Sequence, residues 1–73
     1  MHSLAEENYL KTLFSLSNDK AEVNVNDLSK RLGIKMPTVT SMMKKLATKK
    51  LVHYESYKPL RLTEKGKKEA ALI

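Results

Sequence analysis

The 73-residue chain contains no cysteine and no tryptophan, and it has only two glycines and two prolines. The lack of cysteine excludes a disulfide framework, a cysteine nucleophile and thiolate-held zinc or iron–sulfur centres. No GxGxxG, phosphate loop, HExxH or nucleophile elbow occurs, so sequence support for catalysis is almost absent. No apolar run approaches the roughly 18 residues of a membrane span. The start, MHSLAEENYL, has neither a basic opening nor a continuous apolar stretch, so a cytoplasmic protein is expected. With few chain breakers, 41% hydrophobic and 30% charged residues, the chain is too apolar for a disordered tail. At this length it builds at most one domain, whose core is too small to enclose a large catalytic pocket. A binding module is expected, not an enzyme.

Acidic side chains are also missing over a long stretch, from Leu28 to Tyr54. The net charge is +6, but residues 1–27 carry five acidic against two basic groups, while residues 28–73 carry twelve basic against three acidic. A surface of one sign attracts phosphates, although lysines also serve as solubilising residues.

The pattern predicts four helices and a hairpin in a single domain over residues 1–73. Ser3 and Glu6 have capping-box spacing and start the first helix near Leu4. Tyr9, Leu10, Leu13, Phe14 and Leu16 form its apolar stripe, leaving Glu6, Glu7, Lys11 and Ser15 for solvent. Asn18-Asp19 ends it. Val23 and Val25 predict a very short strand, and Asn26 the N-cap of a short second helix with Leu28 and Leu32 on one face. Gly33 supplies a left-handed stop. After the turn Gly33-Ile34-Lys35, Pro37 opens a third helix running to about Thr48, with Val39, Met42, Met43 and Leu46 inward and Thr38, Thr40, Ser41, Lys44 and Lys45 outward. Leu51–Tyr54 and Leu60–Leu62 read as a hairpin, with Leu60 and Leu62 inward and Arg61 outward. Thr63 is the expected N-cap of a last helix from Glu64 to Ile73. Its closing residues EAALI carry no stop signal, so the chain reads as a fragment of a longer protein.

This order is that of a winged helix-turn-helix: mainly α with a small β-hairpin, a three-helix core plus wing and the start of a fourth helix. In that class the second helix of the pair enters the major groove, its N-terminal side chains meeting base edges. Here those are Pro37, Thr38, Thr40 and Ser41. Their hydroxyls can bond bases or phosphates, and proline or threonine carbons can meet a thymine methyl. Lys35, Lys44, Lys45, Lys49, Lys50, Lys58 and Arg61 are the expected phosphate contacts. The methionines fall on the apolar stripe and read as core filler. His2 reads as exposed, and His53 as structural or phosphate-facing, not metal-binding. Tyr54 and Tyr57 more often pack on an adjoining helix than stack on a sugar or base.

The segments EENYLKTLFSL and VNDLSKRLGIKMPTVTSMMKKLATKKLVHYESYKPLRLTEKGKKEA resemble the N-terminal DNA-binding domain of metal-dependent repressors related to the diphtheria toxin repressor. The resemblance spans nearly the whole chain. It implies a homodimeric repressor that binds a palindromic operator with Fe(II) or Mn(II) as co-repressor, the start of the third helix making the base contacts. It also implies a metal ligand from the first helix, a methionine or aspartate where this chain has Asn8, and in manganese-type members a glutamate where it has Lys11. The remaining ligands and the dimer helices of the family lie beyond the matched segment, so no metal is expected on this chain alone. Asparagine is a weak neutral ligand and an ammonium repels cations. Two alternatives therefore stay open: a metal-independent repressor of the same fold, and a winged-helix module that binds protein.

Overall fold

In the computed structural model, residues 3–20 and 22–72 are described. His2 and Ile73, which the sequence reading places in an exposed start and at the end of the last helix, lie outside them.

Helix α1 spans Leu4–Asp19. The Ser3 hydroxyl accepts the Glu6 N–H at 3.1 Å, and the Glu6 carboxylate accepts the Ser3 N–H at 3.1 Å, so two otherwise unpaired helix-end donors are satisfied reciprocally. Tyr9, Leu10, Leu13 and Leu16 are buried along one stripe, with Phe14 half-buried beside them. Glu6 departs from the expectation of solvent exposure, since its side chain is enclosed and only 3% exposed.

Helix α2, Val25–Leu32, begins earlier than expected. Its cap is Asn24, not Asn26: the Asn24 side chain accepts the Asp27 N–H at 2.9 Å and Asp27 accepts the Asn24 N–H at 3.0 Å. Asn26 could not build this reciprocal pair, because three residues on stands Ser29, whose hydroxyl donates instead to the Ile34 carbonyl. Val25 is accordingly helical, and the expected strand reduces to a single bridge from Val23 to Leu60. Gly33 stops α2 with φ +67°, as its position predicts. The Ile34 N–H also donates to the Ser29 carbonyl at 3.1 Å, so both polar groups of the turn are tied to α2.

Helix α3, Met36–Thr48, has Pro37 in its first turn and buries Val39, Met43 and Leu46, with Met42 half-buried. Strands β1 (Val52–His53) and β2 (Arg61–Leu62) pair antiparallel, Val52 opposite Leu62 and His53 opposite Arg61. They are shorter than the sequence suggests because Leu60 pairs with Val23 across the base of the wing. Leu60 and Leu62 face inward and Arg61 outward, as expected. Helix α4, Glu64–Leu72, is capped by Thr63, whose hydroxyl accepts the Gly66 N–H at 2.9 Å and donates to the Lys50 carbonyl at 2.7 Å. One apolar core joins these pieces. α1 packs on α2 and α4, α2 on α3, and Leu51, Val52, Leu60, Leu62 and Ala70 close the remaining side. Among the described residues no helix is long and apolar enough to cross a membrane.

Candidate nucleic-acid interface

The first turn of α3 leaves Pro37, Thr38 and Ser41 exposed and Thr40 half-buried, while Val39 anchors the same turn in the core. Because neighbours on a helix face recur at three and four residues, Ser41, Lys44, Lys45 and Thr48 continue this exposed surface. The Thr48 hydroxyl is turned back on its own helix, donating to the carbonyls of Lys44 and Lys45. The available short hydroxyls are therefore gathered at the N-terminal end of α3, where helix N–H groups and dipole favour an anion.

The basic residues divide by surroundings. Lys35 and Lys44 are exposed at the start and on the outer face of α3. Lys45 and Lys49 turn toward α1, where the Lys49 ammonium meets the Glu6 carboxylate at 2.5 Å and that of Lys45 lies 4.0 Å away. The hydrogen bond from Lys49, then that from the Ser3 N–H, hold the Glu6 pKa down to about 2 against the opposing effect of burial. Much of the Lys49 charge is thus compensated within the molecule. Lys50 is exposed in a left-handed turn after α3, φ +62°. On the wing, Lys58 pairs with Glu55 at 2.9 Å, which raises the lysine pKa and lowers that of the carboxylate. Arg61 stands apart from α3: with His53, Phe14, Ser17 and Lys67 it lines a groove on the α1 and α4 side of the hairpin.

Between α3 and the wing runs an open groove of about 580 Å³, to which Met36 and Thr40 contribute from one side and Tyr54, Ser56, Tyr57 and Lys58 from the other. Tyr54 packs half-buried against the core, as the hairpin pattern suggests. Tyr57 does not pack on a helix; at 106% relative exposure it stands fully in solvent, because its left-handed backbone at the wing tip aims it off the protein. The sequence reading missed the enclosure of Glu6 and the exposure of Tyr57. Ser3–Glu6 spacing signals a carboxylate turned back on its helix, but no local pattern announces a lysine far along the chain.

A helix-turn-helix whose second helix presents hydroxyls and lysines, followed by a basic hairpin, defines a winged-helix DNA-binding module. The family model for the N-terminal DNA-binding domain of iron-dependent repressors matches residues 1–60, and the chain belongs to that family, one of transcriptional regulators and not of enzymes. The HTH-type transcriptional regulators MntR of Bacillus subtilis (strain 168) and of Bacillus velezensis are each 36% identical over 62 residues, 85% of this chain and 44% of theirs. The chain therefore spans less than half the length of these curated relatives. The fold is similar to that of MepR, a transcription regulator of the Staphylococcus aureus multidrug efflux pump MepA, with TM-score 0.82 and 28% identity over 96% of this chain and 52% of that one.

The family implies a regulatory metal, and the side chains of α1 do not fit one. Asn8 and Lys11 are exposed on one face of the helix, a neutral amide and a cation. Among the described residues no group of three or more histidines, cysteines or carboxylates could hold a metal ion. His53 has Arg61 as its cross-strand neighbour, a further cation.

Proposed function

We propose that this chain is the operator-binding domain of a cytoplasmic transcriptional repressor that acts as a homodimer on a palindromic site. The observation that carries this reading is the exposed turn of Pro37, Thr38 and Ser41 at the start of α3, with Lys35 and Lys44 exposed beside it and Thr40 lining the groove shared with the wing tip. Pro37, Thr38, Thr40 and Ser41 meet base edges in the major groove. Lys35, Lys44, Lys45, Lys50 and Lys58 neutralise the flanking phosphates and set the register without reading sequence. Lys49, already held by Glu6, and Arg61, on the far face of the hairpin, are the other expected phosphate contacts, and both stand apart from this set. Repression follows by occlusion of a promoter.

The molecule measures 25 × 24 × 21 Å, whereas successive major grooves on one DNA face lie about 34 Å apart. One copy therefore covers one half-site, and two copies are needed for a palindrome. We place residues 1–73 as the DNA-binding part of a longer repressor, consistent with the length of the relatives. Fe(II) or Mn(II) control of that repressor would have to do without Asn8 and Lys11 as strong ligands. These two residues favour, as a second reading, a repressor of the same fold that works without metal.

The test is a fluorescence-anisotropy titration against duplex selected from a random pool and against unselected duplex, at several salt concentrations. Tighter binding of the selected duplex is expected, with log affinity falling against log salt at about −0.9 per phosphate contacted. Substituting Thr40 or Ser41 should erase roughly 1–3 kcal/mol of that preference, whereas Lys44→Ala should weaken both duplexes alike. Absence of duplex binding by the folded chain would instead favour a protein-contacting module.

A further inference from the structure

We propose that Glu6 is an internal stand-in for a DNA phosphate, holding Lys49, and more loosely Lys45, back from the duplex and so limiting how tightly the domain binds any sequence. The inference rests on the DNA-binding reading above and deepens it. Glu6 is the one buried charged side chain among the described residues, 3% exposed. Enclosing a carboxylate is costly, and the capping box does not require one, since glutamine serves in that position as glutamate does. The charge is matched by α3 instead: the Lys49 ammonium lies 2.5 Å from one carboxylate oxygen and the Lys45 ammonium 4.0 Å from the other. These partners are not enclosed with it. The Lys49 side chain is 39% exposed and that of Lys45 56% exposed, so both ammonium groups have a path to solvent while their anion has almost none.

The length of α3 sets what else these lysines can meet. Its 13 residues rise about 20 Å, whereas the major groove is about 12 Å wide. With its first turn at the base edges, the helix carries its last turn across the rim of the groove, where a sugar–phosphate strand runs. Lys45 and Lys49 stand one turn apart at that end, on the side toward α1. A lysine bears its charge on a flexible four-carbon stem, so each has two anions within reach, the Glu6 carboxylate and a DNA phosphate. The hydrogen bond from Lys49, then that from the Ser3 N–H, holds the Glu6 pKa at about 2, so at neutral pH the carboxylate competes as a full anion. A lysine that stays on Glu6 releases no counterion from DNA. Because a phosphate contact carries no sequence information, the restraint lowers affinity for selected and random duplex alike. Selected duplex retains its base contacts with the start of α3, whereas random duplex, held almost wholly by charge, loses the larger share of its binding.

The experiment measures affinity and salt slope on selected and unselected duplex for the wild type, Glu6→Gln, Glu7→Gln, Lys49→Gln and the double variant Glu6→Gln/Lys49→Gln. Glu6→Gln keeps a carbonyl oxygen to accept the Ser3 N–H and removes the charge. It should bind both duplexes about three- to fivefold more tightly at low salt, with a slope steeper by about one to two, although its fold is less stable. A merely structural role would not steepen the slope while stability falls. Glu7→Gln removes the same charge from the neighbouring residue and should keep the wild-type slope. Lys49→Gln should cost more affinity in the Glu6→Gln background than alone, as a contact uncovered by the first substitution requires. Thermal melts establish that each variant is folded. If Glu6→Gln is not, Glu6→Met, unbranched and of similar length, fills the enclosure without a charge and replaces it. Wild-type or weaker affinity in the folded variant at position 6, or an equal gain in Glu7→Gln, overturns the Glu6 assignment alone. Failure of the wild type to bind any duplex overturns the DNA-binding reading together with it.

Discussion

Glu6 joins the two ends of the helical core: its carboxylate receives the Ser3 N–H of α1 and the ammonium groups of Lys49 and Lys45 from the C-terminal part of α3. Because its pKa is about 2 in the fold against about 4.5 in the unfolded chain, its contribution is fully present above pH 4.5 and is lost as the pH falls toward 2. Glu6→Gln is expected to cost about 1–2 kcal/mol at pH 7, discounted because Lys49 is partly exposed and can turn to water. Urea unfolding at pH 7 and near pH 2 checks this, and the gap between variant and wild type should close at the lower pH. The capping half of this arrangement was legible as Ser3 followed by Glu6. The other half was not, because the i, i+3 rule describes one helix and Lys49 belongs to another. The same limit hid Tyr57, where hairpin statistics favour packing and the left-handed turn decides otherwise.

At the scale of elements, the two glycines illustrate what a linear pattern can and cannot convey. Gly33 follows a short amphipathic helix and stands four residues before Pro37, so its left-handed role is readable, and the structure confirms it. A Cβ there meets nothing within 4 Å, so Gly33→Ala should cost only about 1 kcal/mol, from its backbone angle. Gly66 sits inside a helical pattern with no local reason to be glycine. In the fold a Cβ at that position would lie 1.9 Å from the Leu51 carbonyl oxygen, which means α4 rests directly on the backbone entering the wing. Gly66→Ala is therefore expected to cost about 3 kcal/mol, near the upper end of ordinary overpacking, and to lower Tm by at least about 10 °C. Parallel thermal melts of the two variants check the contrast, and equal losses would contradict the close approach. Helix α2 shows a milder failure of the pattern: Asn24 and Asn26 are both good caps, and only the carboxylate at Asp27 decides between them.

For the whole molecule, the division of charge along the chain does not survive as two separate poles. The fold sets acidic Glu6 against Lys45 and Lys49 and pairs Lys20 with Asp27 at 2.8 Å, leaving Lys35 and Lys44 as exposed cations beside the hydroxyl turn and Lys50 exposed at the far end of α3. The order of elements, and with it the winged-helix class, was legible because each boundary carries local chemistry: Ser3, Gly33, Pro37 and Thr63. The grooves were not, since they form between elements distant in sequence. A consequence of the Asn8 and Lys11 side chains can be measured on the chain as it stands. A bound ligand raises stability in proportion to the logarithm of its concentration over Kd, so millimolar Mn(II) should move Tm by no more than about 1 °C. A shift of several degrees would reveal a metal site that these side chains do not account for.

The bridge between Val23 and Leu60, where the Leu60 N–H donates to the Val23 carbonyl at 2.6 Å, has a consequence in time. Val23 emerges early in synthesis, before α2 and α3, yet its carbonyl waits for a partner that is made only after both helices and most of the wing. Closing so long a loop is entropically costly until the hydrophobic contacts of the intervening helices hold its ends together. The connection after α1 is consequently a late-maturing part of the nascent chain. The helices can gather first, and the wing, once its second strand leaves the ribosome, fastens them from behind.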